Sequence, residues 1–154
     1  MPDLPIRELV LQNIEESLLA IAGGEEYFND RVAVSRVLLP LDAVQSSPML
    51  FVYSPGDVVS ARIGSATGIS ENTMDVIVSA VFERALASDT AANQLAHDIE
   101  KAMLQDRERG GYAINTVLIG RNIVANEATE PWATLEVRFQ VVYRHSFADP
   151  SLQV

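Results

Sequence analysis

Cysteine is missing from this 154-residue chain, and disulfides, thiolate nucleophiles and zinc–thiolate sites go with it. Synthesis in the cytosol is the simplest expectation. Histidine is almost as scarce: His97 and His145 are the only two, and neither belongs to a Glu-x-x-His or His-x-x-x-His spacing. No metal and no cofactor are expected. Positive charge is short, with 11 Lys and Arg against 21 Asp and Glu and a formal charge of −10. Wrapping nucleic acid needs clustered cations, so DNA could pass this protein without being gripped by it. Lysine occurs once, at Lys101, and the other ten cations are arginines. Two readings stand for that bias: interface arginines, whose planar forks make bidentate pairs, or a coding bias. Long apolar runs are also lacking, none approaching the roughly 18 residues that span a bilayer, and Met1 to Glu8 has no basic stretch. Neither export nor membrane insertion is expected.

What remains is the composition of one folded domain. Apolar residues make up 48% and charged ones 21%, ordinary for a globular chain long enough to close a core. Residues 1–154 are read as a single unit.

The clearest local signal is in the last third. Ala133, Leu135, Val137, Phe139, Val141 and Tyr143 alternate with Thr134, Glu136, Arg138, Gln140, Val142 and Arg144. Period two over a dozen residues predicts a strand with one buried and one wet face. Burying that apolar set contributes on the order of 10 kcal/mol before entropy is subtracted.

Upstream, Ile6, Leu9, Val10, Ile14, Leu18 and Ile21 recur at spacings of three and four, which predicts an amphipathic helix. Asp3 is a candidate cap, Pro5 suits its first turn, and Gly23-Gly24 can end it. Residues 32–39 and 49–53 read as short strands, the second bracketed by Pro48 and Pro55. The stretch 54–71 is long for a plain connection and reads as a protruding hairpin, for which Val58, Val59 and Ile63 would form an arm, or as a loop, either a mobile surface one or one ordered only against a partner. Residues 73–86 are expected as a strand. A second helix starts at a cap among Ser88, Asp89 and Thr90 and buries Ala92, Leu95, Ala96, Ile99, Ala102 and Met103. It stops at Gly110-Gly111, with Arg107 and Arg109 near its negative end. A strand over 114–124, a turn through Asn126 to Pro131 and the alternating strand follow, and a loose tail is expected after residue 146. The order α-β-β-β-α-β-β predicts an α+β domain: a mainly antiparallel sheet of about five strands with both helices packed on one face.

Catalytic groupings are hard to find. His97 and Asp98 are helical neighbours that point about 100° apart, so they read as a solvated pair. Gly64-Ser65-Ala66-Thr67-Gly68 lacks the lysine and helix of a phosphate loop, and no serine sits in a nucleophile elbow. The expectation is that this is not an enzyme. Trp132, the lone tryptophan, either caps the core from its rim or anchors a neighbouring subunit.

The stretch from Leu95 to Leu104, Asp106, Gly110-Gly111, the next strand, the acidic turn Glu127 to Glu130 and the alternating Leu135 to Tyr143 strand resembles the tail terminator (tail completion) proteins of tailed bacteriophages. That resemblance extends more weakly to the first helix and the strand from Met74 to Phe82. It is a pattern of packing residues with no invariant chemistry. What it implies is a structural virion protein, assembled in the host cytoplasm and placed at the head-proximal end of the tail. There it would form a hexameric ring with copies of itself on the last ring of tail-tube protein and stop polymerisation. It would also present a surface to the neck or head-completion protein and, in contractile tails, touch the sheath protein. DNA would pass through its lumen without specific binding, and an acidic lumen would repel phosphates. The candidate assembly residues are Trp132, Glu136, Arg138 and Arg144 on the last strand, with Asp57 and Arg62 in the 54–71 stretch. The rivals are a neck or connector ring protein of the same virion and a small-ligand-binding regulatory α+β domain with an apolar pocket. An enzyme built on His97, Asp98 and His145 comes third.

Overall fold

Apolar spacing of three and four turns the first segment into helix α1 (Ile6–Leu19), which buries Ile6, Val10, Leu11, Ile14 and Leu18. A computed structural model describes residues 2–45, 48–65, 68–83, 89–124 and 132–154. The remaining elements are β1 (Ala33–Ser35), a single 3₁₀ turn (Leu41–Ala43), β2 (Met49–Ile63), β3 (Ile69–Glu83), α2 (Asp89–Gln105), β4 (Asn115–Val124) and β5 (Trp132–Ser146). The architecture is the expected α+β one, with one five-stranded sheet in the order β1-β2-β3-β5-β4.

Strand directions follow from the connections. β2, β3, β5 and β4 pair antiparallel in turn, while β1 joins β2 in parallel over only three residues. Because β5 lies between β3 and β4, those two strands run the same way, and α2 makes the crossover between them. Both helices cover one face of the sheet. Their stripes meet Leu50 and Val52 of β2, the even-numbered residues Met74 to Phe82 of β3 and the odd-numbered residues Leu135 to Tyr143 of β5. A second, small cluster of Val44, Phe51 and Val81, with Met49 and Trp132 packed on it, sits on the opposite face.

Several boundaries differ from expectation, each for a physical reason. Of the two readings of 54–71 the hairpin holds: Gly56 to Ile63 and Ile69 to Asp75 pair as the distal arms of the long β2–β3 hairpin, from Gly56↔Asp75 to Ile63↔Ile69. Pro55 does not end β2, because it falls in a register shift between Tyr53 and Gly56 where no ladder donor is needed. The strand expected over 32–39 shrinks to Ala33–Ser35, and Val37, Leu38 and Leu39 are exposed beyond it. Arg36 holds the start of that run by a two-pronged contact to Glu8 of α1 at 2.5 and 3.0 Å.

Helix ends also moved. No side chain caps α1, whose N-cap is Pro5 and not Asp3, and the helix stops before Gly23 and Gly24, which carry positive φ angles of 70° and 79° in the turn beyond. α2 ends at Gln105, so Arg107 and Arg109 lie past it. The chain after Ser146 is not loose. Phe147 N–H donates to Gly68 O, Ser146 N–H to Leu152 O and Ile6 N–H to Pro150 O, each at 2.9 to 3.0 Å. The tail thereby ties the hairpin end to the start of α1. The Ser88 cap, residues 84–86 of the expected third strand and the Asn126 to Pro131 turn lie outside the described residues.

Candidate functional site

The alternation of β5 separates its side chains as expected, and what it leaves on the uncovered face is mostly polar, Trp132 and Val142 apart. Register pairs place Glu71 across from Arg144, Asp75 across from Gln140, and Ser79 across from Glu136. Arg144 reaches Glu71 at 2.7 Å, Gln140 donates to Asp75 at 3.0 Å, and Arg138 contacts Glu136 at 3.2 Å. On β3 and β5 this face carries Glu71, Asp75, Glu83 and Glu136 against Arg138 and Arg144, a balance of four acids to two cations. The first two are cross-strand pairs and the third joins neighbours two apart on β5; each is partly exposed and worth well under about 1 kcal/mol.

The six candidate assembly residues divide into two sets. Trp132, Glu136, Arg138 and Arg144 share the uncovered face of β5. Trp132 stands across from Glu83 and packs on the small Val44–Phe51–Val81 cluster, so it does cover a core rim. Asp57 and Arg62 sit on the distal arm of β2 and point the other way. Asp57 accepts from Arg7 Nε at 2.9 and 3.0 Å and from the Tyr143 hydroxyl at 2.5 Å. Both of its oxygens are engaged in locking the hairpin to α1, and Arg7 adds a contact to Ser54 at 2.9 Å. The Arg62 guanidinium lies 5.5 Å from the centre of the Phe147 ring, a cation–π contact at an exposed site.

This network has a testable pH signature. Burial, then the hydrogen bond and charge of Asp57, push the Tyr143 phenol above its usual range, opposed weakly by Arg7. A raised pKa in the folded state means a contribution fully present below the unfolded tyrosine's pKa of about 10 and lost as pH rises beyond it. Tyr143→Phe should lose about 1–2 kcal/mol at neutral pH, the scale of a hydrogen bond to a charged acceptor. Urea unfolding at pH 7 and pH 10.5 tests this, with the gap between variant and wild type narrowing at the higher pH.

Two buried polar residues were misjudged from sequence. Asp98 is not solvated: it is 0% exposed and accepts from Phe28 N, Asn29 N and Asn29 Nδ2 at 3.1, 2.8 and 2.7 Å. Its place was readable, since 95, 98, 99 and 102 lie on one helical stripe. His97 is exposed, 3.4 Å from Asp98, with its ring edge-on to Phe28 at 5.3 Å. Arg109 is also 0% exposed, has a φ of 52°, and donates to Thr116 Oγ1 at 3.1 Å and to the Met103 carbonyl. It therefore caps the end of α2 from beneath, a role that the Gly110-Gly111 stop only hinted at.

His145 closes β5 against Ser70 in the register and turns Nδ1 toward its neighbour's carbonyl. Nothing here brings His97, Asp98 and His145 into a shared hydrogen-bond network, and the Asp98 oxygens are taken by amides. Among the described residues no group of three His, Asp or Glu side chains is placed to hold a metal ion. No described helix is long and apolar enough to cross a membrane. A cleft of about 690 Å³ lies between the end of α1 and β1, lined by Leu19, Ile21, Val32 and Val34 together with Asp30 and Arg31.

Fold and surface together define a two-layer α+β domain with one ion-paired, uncovered sheet face and long free edges. No protein-family model matches the chain, and no curated protein is significantly similar to it.

Proposed function

We propose that this chain is a tail terminator of a tailed bacteriophage: a ring-forming structural protein that caps the tail tube, stops its polymerisation and offers the surface to which the neck joins. The resemblance described above supplies the idea. The observation that carries it further is the sheet itself, one face sealed by two helices and the other carrying a row of paired charges on β3 and β5 beside a small apolar cluster. An uncovered face with more acids than cations suits a DNA passage, because it repels phosphates and gives them nothing to hold. The free sheet edges suit repeated association with like copies, and the absence of a catalytic cluster among the described residues fits an assembly role.

The test is polymerisation of the virion's tail-tube protein with and without this chain, scored by negative-stain microscopy. Tubes should stop at a defined length and carry a terminal ring, and virions lacking the protein should show overlong tails without heads. An unchanged distribution of tube lengths would sink the proposal.

A further inference from the structure

We infer that the free edge of β4 is a docking strand for the distal arm of β2 from a second copy of this chain. The inference rests on the ring reading and says where its subunits meet. β4 is the last strand of the sheet, so among the described residues one side of its backbone has no strand partner from Asn115 to Val124. It has no lysine, proline or acidic residue to discourage pairing, and Val117, Ile119 and Ile123 are 44 to 55% exposed. A long edge of this kind attracts another strand unless something covers it.

The matching edge is on the same molecule, at the other side of the sheet. β1 covers β2 only over Met49 to Phe51, leaving Ser54 to Ile63 open, and Val58, Val59 and Ile63 are 46 to 67% exposed there. Both free arms are ten residues long, β4 by its own bounds and β2 from Ser54 to its end. β2 and β4 run in opposite directions, so two copies in the same orientation meet antiparallel, the more stable pairing. Aligned end to end, Ala61 faces Val117 and Val58 faces Gly120. All four belong to the uncovered face of their own sheets, as their register partners Glu71, Gln140, Thr73 and Arg138 show. The bulges at Ser60 and Ile119 then fall nearly opposite each other, and the irregularity at Ser54 and Pro55 confines the regular ladder to Gly56–Ile63 against Asn115–Asn122.

Charge selects the same surfaces. A chain of formal charge −10 repels its copies, yet the two arms contain one acidic residue between them, Asp57, already bound to Arg7. The edges are where self-association costs least. Because they lie on opposite sides of the sheet, the contact is head to tail and repeats until it closes.

The test uses the full chain and two variants at exposed positions, Ile119→Lys on β4 and Val58→Lys on β2, each checked for folding by circular dichroism. In native mass spectrometry the wild type should form rings at high concentration, and each variant alone should need roughly tenfold more protein to associate. An equimolar mixture should give one-to-one pairs, since each variant keeps the edge that the other has lost. Val58→Lys that assembles like the wild type means β4 has a different occupant, β4 of a second copy included, and overturns the inference. So does a mixture without pairs, or a wild-type chain that stays monomeric at millimolar concentration. If a lysine variant unfolds, cysteines at Ala61 and Val117 replace it in this cysteine-free background. The double variant should then form a disulfide-linked ladder that neither single variant forms with itself, and its absence overturns the pairing. Rings in both lysine variants would remove the edge contact and leave tail capping standing. Edge-paired rings that fail to cap tubes would do the reverse.

Discussion

Arg109→Ala should lower folding stability by about 3–4 kcal/mol, seen as a fall in the urea midpoint with little change in the slope of the transition. Two effects oppose each other at this position. Burial pulls the guanidinium down to about 10 from 12.5, against the attraction of Asp106, so the folded state carries a charge that it holds at a cost, and alanine relieves it. The substitution also removes a fully enclosed long side chain and strips partners from Thr116 Oγ1 and the Met103 carbonyl. The void and the lost bonds should win: an arginine-sized space opens at the end of α2 and the Met103 carbonyl loses its donor, while Thr116 Oγ1 keeps its bond to the Arg107 carbonyl.

Arg109→Met separates the two effects. It keeps most of the volume and discards both the charge and its bonds, so it should cost about half as much as alanine. A methionine variant as weak as the alanine one would show that hydrogen bonding to the end of α2, and not filling, is what matters. The depressed pKa also has a sign. Between pH 10 and 12.5 the unfolded chain binds the proton more readily than the folded one, so this residue's penalty fades as pH rises. Tyr143 changes in the opposite direction over the same alkaline range, which is why its effect has to be read as a difference from the wild type.

Periodicity carried most of the fold because the main elements are amphipathic. The stripe Ala92, Leu95, Ala96, Ile99, Ala102 and Met103 is buried as its spacing requires, and so is the alternating set of β5 from Leu135 to Tyr143. The expectation faltered where side-chain pattern and backbone pairing part company. The distal arm of β2 exposes nearly all its side chains, so without alternation the sequence left hairpin and loop both open, and pairing with β3 decides for the hairpin. β1 is shorter than its apolar run because it pairs with β2 over three residues, and Val37 to Leu39 continue into solvent. The candidate surface was legible on β5, where Glu136, Arg138 and Arg144 fall on the wet face. It was not legible that Asp57 also bonds Arg7 and Tyr143, partners that are 50 and 86 residues away. Contacts at that distance leave no local trace.

Asp98→Ala should cost about 2–3 kcal/mol, the largest effect expected after Arg109, because one carboxylate serves three donors and has no access to water. Asp98→Asn keeps the shape and one accepting oxygen, so it should cost about half of that. The two backbone donors belong to the segment before β1, which α2 holds down through this side chain and through Lys101, whose ammonium bonds the Glu26 carbonyl at 2.7 Å. The damage should therefore be regional. In hydrogen exchange, the amides of Phe28 and Asn29 should lose protection beyond the global loss, while those of β3 and β5 should lose only the global amount. Uniform loss across the sheet would mean that Asp98 supports the core directly. The variant also bears on the enzyme reading. A buried carboxylate that already accepts from three amides and lies beside His97 is held as a structural acceptor, so removing it should show first as a loss of stability.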